Sequence, residues 1–318
     1  MTAMPFQPIG HTLRLHRFET VAFGLLAVLG VILAFLVAAR LDAVGYGVEC
    51  VLAMREGGAS PRGCELKANE FYDIVSREAG LVSALLTFVP FVSALLIGVA
   101  VVGREIERGT TRLAWALTPS RLRWLAHRLA PVLVVVAVIG LLMGVAADRL
   151  LAATEPGMDP ANALAQLGQR GPVLAARAIF VMSIGVVVGA VMGRALPALV
   201  VATVIAVVGI AGGSQVHDGI LRSEATVIEQ AGPGDRYFDQ LFVLPGGRLV
   251  GWDEIEQHDP PPATFEDTTV WPTLPQVTLG ISGTRYGDVQ LREIGALAGG
   301  TLVALLLTAL VVQRRRPG

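Results

Sequence analysis

The chain has 318 residues, 53% of them apolar and 16% charged, with a mean hydropathy of +0.61 and a formal net charge of −1. Soluble domains carry about 25% charged residues, so the composition argues against a single water-soluble globule and excludes a disordered chain. Lys67 is the single lysine beside 24 arginines. A P-loop needs a lysine behind a glycine pair to reach the β- and γ-phosphates, and Lys67 stands in Glu65-Leu66-Lys67-Ala68-Asn69. The chain itself holds no standard ATP site.

The segment 1–17 sets Ile9, Leu13 and His16 against Arg14 and Arg17. It fits a short interfacial helix at the inner leaflet or a frayed basic tail that only orients the first span. A spanning helix needs about 20 mostly apolar residues, and six runs qualify: 18–39, 80–103, 129–147, 172–193, 196–213 and 293–312. The first is long, lacks a small-x-small cleavage site and is succeeded by five more, which separates it from a secretory signal. Pro90 inside the second predicts a kink.

Charge sets the expected orientation. With the N-terminus inside, segments 1–17, 104–128, 194–195 and 313–318 hold twelve arginines, opposed there only by Glu105 and Glu107. Dense basic segments belong on the cytoplasmic side, so both termini are expected inside. Segments 40–79, 148–171 and 214–292 then lie outside. Cys50 and Cys64 both fall in the first of these, in a compartment that permits disulfides. A bridge would stabilise by about 3 kcal/mol on the chain-entropy model; two unpaired thiols are the other reading. No histidine shares that loop, so a metal site is not expected. Within 65–78, Leu66, Phe71, Ile74 and Val75 give partial helical spacing.

Gly185, Gly189 and Gly193 recur every fourth residue in the fourth span, as do Gly140 and Gly144, and Gly295 and Gly299. Small residues at that spacing let helices approach closely in lipid, although a glycine-rich chain yields some pairs by chance. Segment 214–292 is rich in Pro, Gly and Asp. Phe242-Val243-Leu244 before Pro245-Gly246-Gly247-Arg248-Leu249-Val250 reads as strand, turn, strand, and the whole segment as a small extracytoplasmic insert of mixed structure.

Segment 104–128 is the informative one. Gly109 predicts a C-cap or hinge after the second span. Thr110 or Thr111 can cap a short helix through Leu117 with Leu113, Ala114 and Leu117 on one face. Thr118-Pro119 predicts a new helix start running into the third span. The plain reading is a basic loop that sets topology. Yet Glu105 and Glu107 serve no topological purpose, and with an exposed Trp115 they would give a partner a specific grip.

Glu105-x-Glu107-x-Gly109-Thr110-x-Arg112-Leu113-Ala114-Trp115 followed by Arg121-x-Arg123-Trp124-Leu125-Ala126 resembles the first cytoplasmic loop of bacterial type-2 ATP-binding-cassette (ABC) permeases. Arg194-Ala195-Leu196-Pro197-Ala198 is similar to that family's turn between spans four and five, and Arg314-Arg315-Arg316 to its C-terminus. The resemblance covers spans two to six in outline; members often have Lys in place of Arg128, and segment 214–292 has no counterpart. It implies an all-α polytopic fold of six spans in the bacterial plasma membrane. It also implies a coupling helix through which Arg104, Glu105, Glu107, Gly109, Thr110, Arg112, Leu113, Trp115, Leu117 and Arg121 dock on a separate ATPase. Two ATPase copies would bind the ATP and Mg, this chain would bind no cofactor, and a second permease, identical or homologous, would complete the path.

Rival classes fare worse. No H-E-x-x-H or G-x-S-x-G motif supports a membrane enzyme, and nothing points to nucleic acid. A proton-coupled transporter buries carboxylates mid-span, whereas Asp148, Arg149 and Arg177 lie near span ends, within snorkelling reach. Arg177 is the candidate for meeting an anionic group on a substrate path. Uncharged span centres favour export of a hydrophobic or amphipathic compound. A membrane sensor or scaffold signalling through its cytoplasmic loop is the alternative.

Overall fold

The computed structural model describes residues 17–55, 63–111, 115, 120–228, 232–244, 246–251, 254 and 275–315. The N-terminal tail, Pro260-Pro261-Pro262 and Arg316 lie outside them. The elements run α1 (Arg17–Val44), α2 (Val48–Arg55), α3 (Cys64–Ile74), a π-turn (Val75–Ala79), α4 (Gly80–Glu107), α5 (Arg121–Thr154), α6 (Gly171–Met192), α7 (Ala195–Ser223), β1 (Thr226–Ile228), β2 (Arg236–Val243), β3 (Leu249–Val250), β4 (Gln276–Ile281) and α8 (Tyr286–Arg314). Among the described residues six helices are long and apolar enough to cross a membrane, one for each predicted span.

The helices outrun the apolar runs that predict them. The segment read as a helix over 65–78 joins the second span, giving one helical stretch Cys64–Glu107, and Pro90 sits inside it without ending it. The extensions carry charges that find partners. Arg40 pairs with Glu78 at 2.5 Å, Arg149 with Asp42, and Arg170 with Asp148 at 2.8 Å. Arg170 is fully buried, so its carboxylate partner is what makes that burial tolerable.

The chain divides into two units. One comprises Met1–Gly157, Gln166–Ile210 and Val289–Gly318, and holds α1, α4, α5 and α6 with most of α7 and α8; the other comprises Met158–Ala165 and Ala211–Asp288. In the first unit α6 packs on α4 and α5 through small residues. A Cβ added at Gly185 would stand 3.0 Å from Leu95 O, and one at Gly189 would stand 2.9 Å from Val99 O. Gly140 and Gly144 meet Ala175 and Gly171 in the same way. A Cβ added at Gly193 would stand 2.9 Å from Ile106 of α4, and Gly193 also ends α6 in the left-handed conformation at φ 64°. Gly295 and Gly299 face open space. Cys50 and Cys64 are bonded to each other, beside a cluster of Tyr46, Phe71 and Tyr72 rings.

The second unit amends the all-α expectation. It contains a four-stranded antiparallel sheet in the order β1-β4-β2-β3. The predicted strand, turn, strand is β2 and β3, with Phe242 opposite Val250 and Val243 opposite Leu249. Gly246 and Gly247 both take positive φ in the turn, which side chains on those residues would resist. Asp235 fastens the unit by accepting from Gly232 N and Gly283 N at 2.8 and 2.7 Å.

Candidate functional site: the loop between α4 and α5

The loop begins where α4 stops. Arg108 N–H still donates to Arg104 O, Gly109 N–H donates to Ile106 O, and Gly109 has φ 70°. That left-handed glycine closes the helix as the sequence predicts. Thr110 donates its hydroxyl to Glu105 O, and Thr111 is buried. Arg112, Leu113 and Leu117 lie outside the described residues, as do Thr118 and Pro119. α5 starts two residues later than Thr118-Pro119 suggests. Its cap is Ser120, in extended conformation, whose Oγ accepts from Arg123 N at 3.1 Å.

Glu105, Glu107 and Arg121 of the loop are engaged at helix ends. Glu105 pairs with Arg128 at 2.7 Å, both largely buried, and so ties the end of α4 to the start of α5. Glu107 Oε2 accepts from Ala195 N at 3.0 Å. An acid there satisfies an orphan donor at the start of α7 and complements its dipole. Arg121 Nη1 donates to carbonyls at and just past the end of α8: Val312 O at 3.3 Å, Gln313 O at 3.0 Å and Arg315 O at 2.7 Å. Arg315 in turn donates to Ala190 O, near the end of α6. One short loop thus touches, directly or through Arg315, the ends of α4, α5, α6, α7 and α8.

Trp115 differs from expectation. It is half-buried rather than exposed, edge-on to Trp124 with ring centres 6.0 Å apart, and Arg121 sits 4.6 Å over its ring. An indole face attracts a guanidinium, so Trp115 steadies Arg121. Both indole N–H groups are buried without a hydrogen-bond partner among the described residues. Arg104 and Arg108 are exposed.

Arg177 lies in α6 with its guanidinium on a carboxylate of this same chain. Nε donates to Glu293 Oε1 at 2.7 Å, and both side chains are largely buried. Glu293 Oε2 has no partner among the described residues. Gly168 makes room for the guanidinium, since any side chain there would collide with it. Glu293 is a residue that the sequence reading passes over as the first position of an apolar run. Its only signal was a lone acid opposite a lone arginine in another span.

No group of three His, Cys, Asp or Glu side chains among the described residues is placed to hold a metal. The arrangement is mechanical: a displacement of the loop reaches the ends of five helices. No curated protein and no solved structure matches the chain. A family model does match, over residues 21–215, which takes in the first five spans and the loop just described. The chain therefore belongs to the ABC-2 membrane transporter related family, and is a multi-pass transport component of the type-2 ABC permease kind.

Proposed function

We propose that this chain is the permease subunit of an ABC exporter, moving a hydrophobic or amphipathic compound across the bacterial plasma membrane at the expense of ATP hydrolysed on a separate subunit. Both termini are cytoplasmic in this reading, and 104–128 is the docking loop. Two copies of the ATPase serve a pair of permeases, identical or homologous. Segment 214–292 is extracytoplasmic, the side on which a Cys50–Cys64 bridge persists.

The observation that carries the reading is the loop's grip on its own helices. Glu107 holds the start of α7, Arg121 the end of α8, and Glu105 the start of α5. A loop with no mechanical duty has no need of such anchorage. In this reading Arg104, Gly109, Thr110, Arg112, Leu113 and Leu117 meet the ATPase, while Glu105, Glu107, Trp115 and Arg121 hold the docking helix in place.

The test is co-purification of the chain with a co-expressed P-loop ATPase subunit from the same source, together with coupled hydrolysis. The double variant R112E/L113D is expected to abolish both while the permease keeps its thermal transition. Undiminished capture and coupled hydrolysis in that variant would sink the docking role. Orientation is read separately. A cysteine introduced as R108C, at an exposed position, should stay unlabelled by an impermeant thiol reagent in sealed cells, and labelling there would reverse the topology.

A further inference from the structure

Within the first unit, at the ends of α4 and α5 farthest from the docking loop, lies a cavity of about 200 Å³. Its floor is apolar, formed by Leu86, Leu150 and Leu151, and its rim carries Glu155, Gln166 and Gln169. One wall is the π-turn Val75–Ala79. π-turns are rare and concentrate at functional sites. Gln166, on the rim, is the one described non-glycine residue with positive φ, at 51°, a conformation that persists only where the surroundings fix it.

Glu155 is the only ionisable residue that lines the cavity. Acids nearby in the same unit have arginine partners: Glu78 has Arg40, Asp42 has Arg149 and Asp148 has Arg170. Glu155 has none among the described residues. Partial desolvation by its surroundings raises its carboxyl above the usual range, and no cation offsets that cost. Ser83 also lines the cavity with its hydroxyl, and the two threonine hydroxyls have spent their hydrogens: Thr87 donates to Ser83 O at 2.9 Å and Thr154 to Leu151 O at 3.2 Å. What they retain for a ligand is acceptor capacity.

We propose that this cavity binds a small primary ammonium ion bearing a short apolar tail. The head lies at Glu155, with the Gln166 amide oxygen and the remaining lone pair of Gln169 Oε1, which stands 3.3 Å from Thr87 Oγ1, as further acceptors, and the tail lies on Leu86, Leu150 and Leu151. An anion is repelled by the one charge present. A calcium ion takes six to eight oxygens, and a single carboxylate among leucines does not supply that shell. Drug-sized ligands occupy about 300–1,000 Å³, so the occupant is smaller. The ammonium group comes from a free amine or from the headgroup of phosphatidylethanolamine. The site is independent of the docking loop and of any ATPase.

The full chain in phosphatidylcholine nanodiscs is titrated with n-butylammonium by ligand-observed NMR, with n-butanol as the uncharged control. Saturable binding is expected, weakened at least about tenfold in E155Q and abolished in S83L, which fills the cavity, with thermal transitions unchanged in both. Should E155Q not fold, S83L alone decides. Equal binding by E155Q, equal binding of n-butanol, or no saturation up to about 10 mM overturns the proposal. Repeating the titration in phosphatidylethanolamine nanodiscs assigns the source. Loss of butylammonium binding there identifies the lipid headgroup, and unchanged binding identifies a free amine.

Discussion

α6 and α8 are both apolar, both long enough to span, and both carry glycines four residues apart, yet they live in opposite surroundings. In its most apolar stretch 72% of α6 is buried within the chain, against 11% of α8. Gly185 and Gly189 press on α4, whereas Gly295 and Gly299 meet nothing. The difference lies in what surrounds the glycines. α6 presents Ala178, Ser183, Gly185, Gly189 and Ala190, all buried. α8 presents Leu302, Val303, Leu306, Leu307 and Leu310, all exposed. In lipid, burying leucine gains little, because acyl chains are as apolar as the side chain; close backbone approach between small residues is what joins helices. α8 packs on the bundle only along a narrow stripe of Gly300, Ala304, Thr308 and Val312, and is held besides by polar contacts at two points, Arg177–Glu293 near one end and Arg121 at the other.

If that contrast is right, the attachment of α8 should fail on loss of charge and that of α6 on gain of bulk. The largest effect is expected for E293A. Removing one partner of a largely buried pair leaves an uncompensated guanidinium, a loss of about 3–5 kcal/mol. Chemical unfolding in micelles should show it, and the double variant R177M/E293L should recover most of the loss. A double variant no better than E293A would mean that the site needs charge for some other reason. A smaller effect, about 1–3 kcal/mol, is expected for G189L, whose new atoms meet Val99 O. G299L, at the same spacing in α8, should leave the unfolding curve where it is. Equal responses at 189 and 299 would erase the distinction between the two helices.

Much of this was legible in the sequence, and the rest was not for identifiable reasons. Apolar runs mark the spans because the bilayer imposes a length. Gly109 announces the end of α4 because only glycine takes φ 70° cheaply. The β2–β3 turn follows from Gly246-Gly247. Span ends were underestimated because Arg40, Asp42, Asp148 and Arg149 look like loop residues until their partners, up to 107 positions away, are known. The same distance hides Arg177–Glu293. In the docking loop, residue types suggested an outward grip by Glu107, Trp115 and Arg121. Their inward use depends on where α7 begins, where α8 ends and where Trp124 of α5 falls, which no local pattern encodes. Ser120 was passed over because Thr118-Pro119 offers an equally good start two residues earlier.

The mildest prediction concerns Arg121. The last four carbonyls of a helix lack internal donors, and a cation beside them is worth about 0.3–1 kcal/mol when solvent reaches it. Arg121 is only half-buried, so R121A should lower stability by about 1 kcal/mol or less. The informative readout is local. Amide exchange over 308–315 should speed up in R121A while α6 keeps its protection, because α6 is held by packing. R121K should restore protection only in part, since an ammonium cannot stack flat on the Trp115 ring as the guanidinium does. If exchange in α6 rose together with that in α8, the loop would be holding the bundle as a whole, and the separate attachment of α8 would have to be given up.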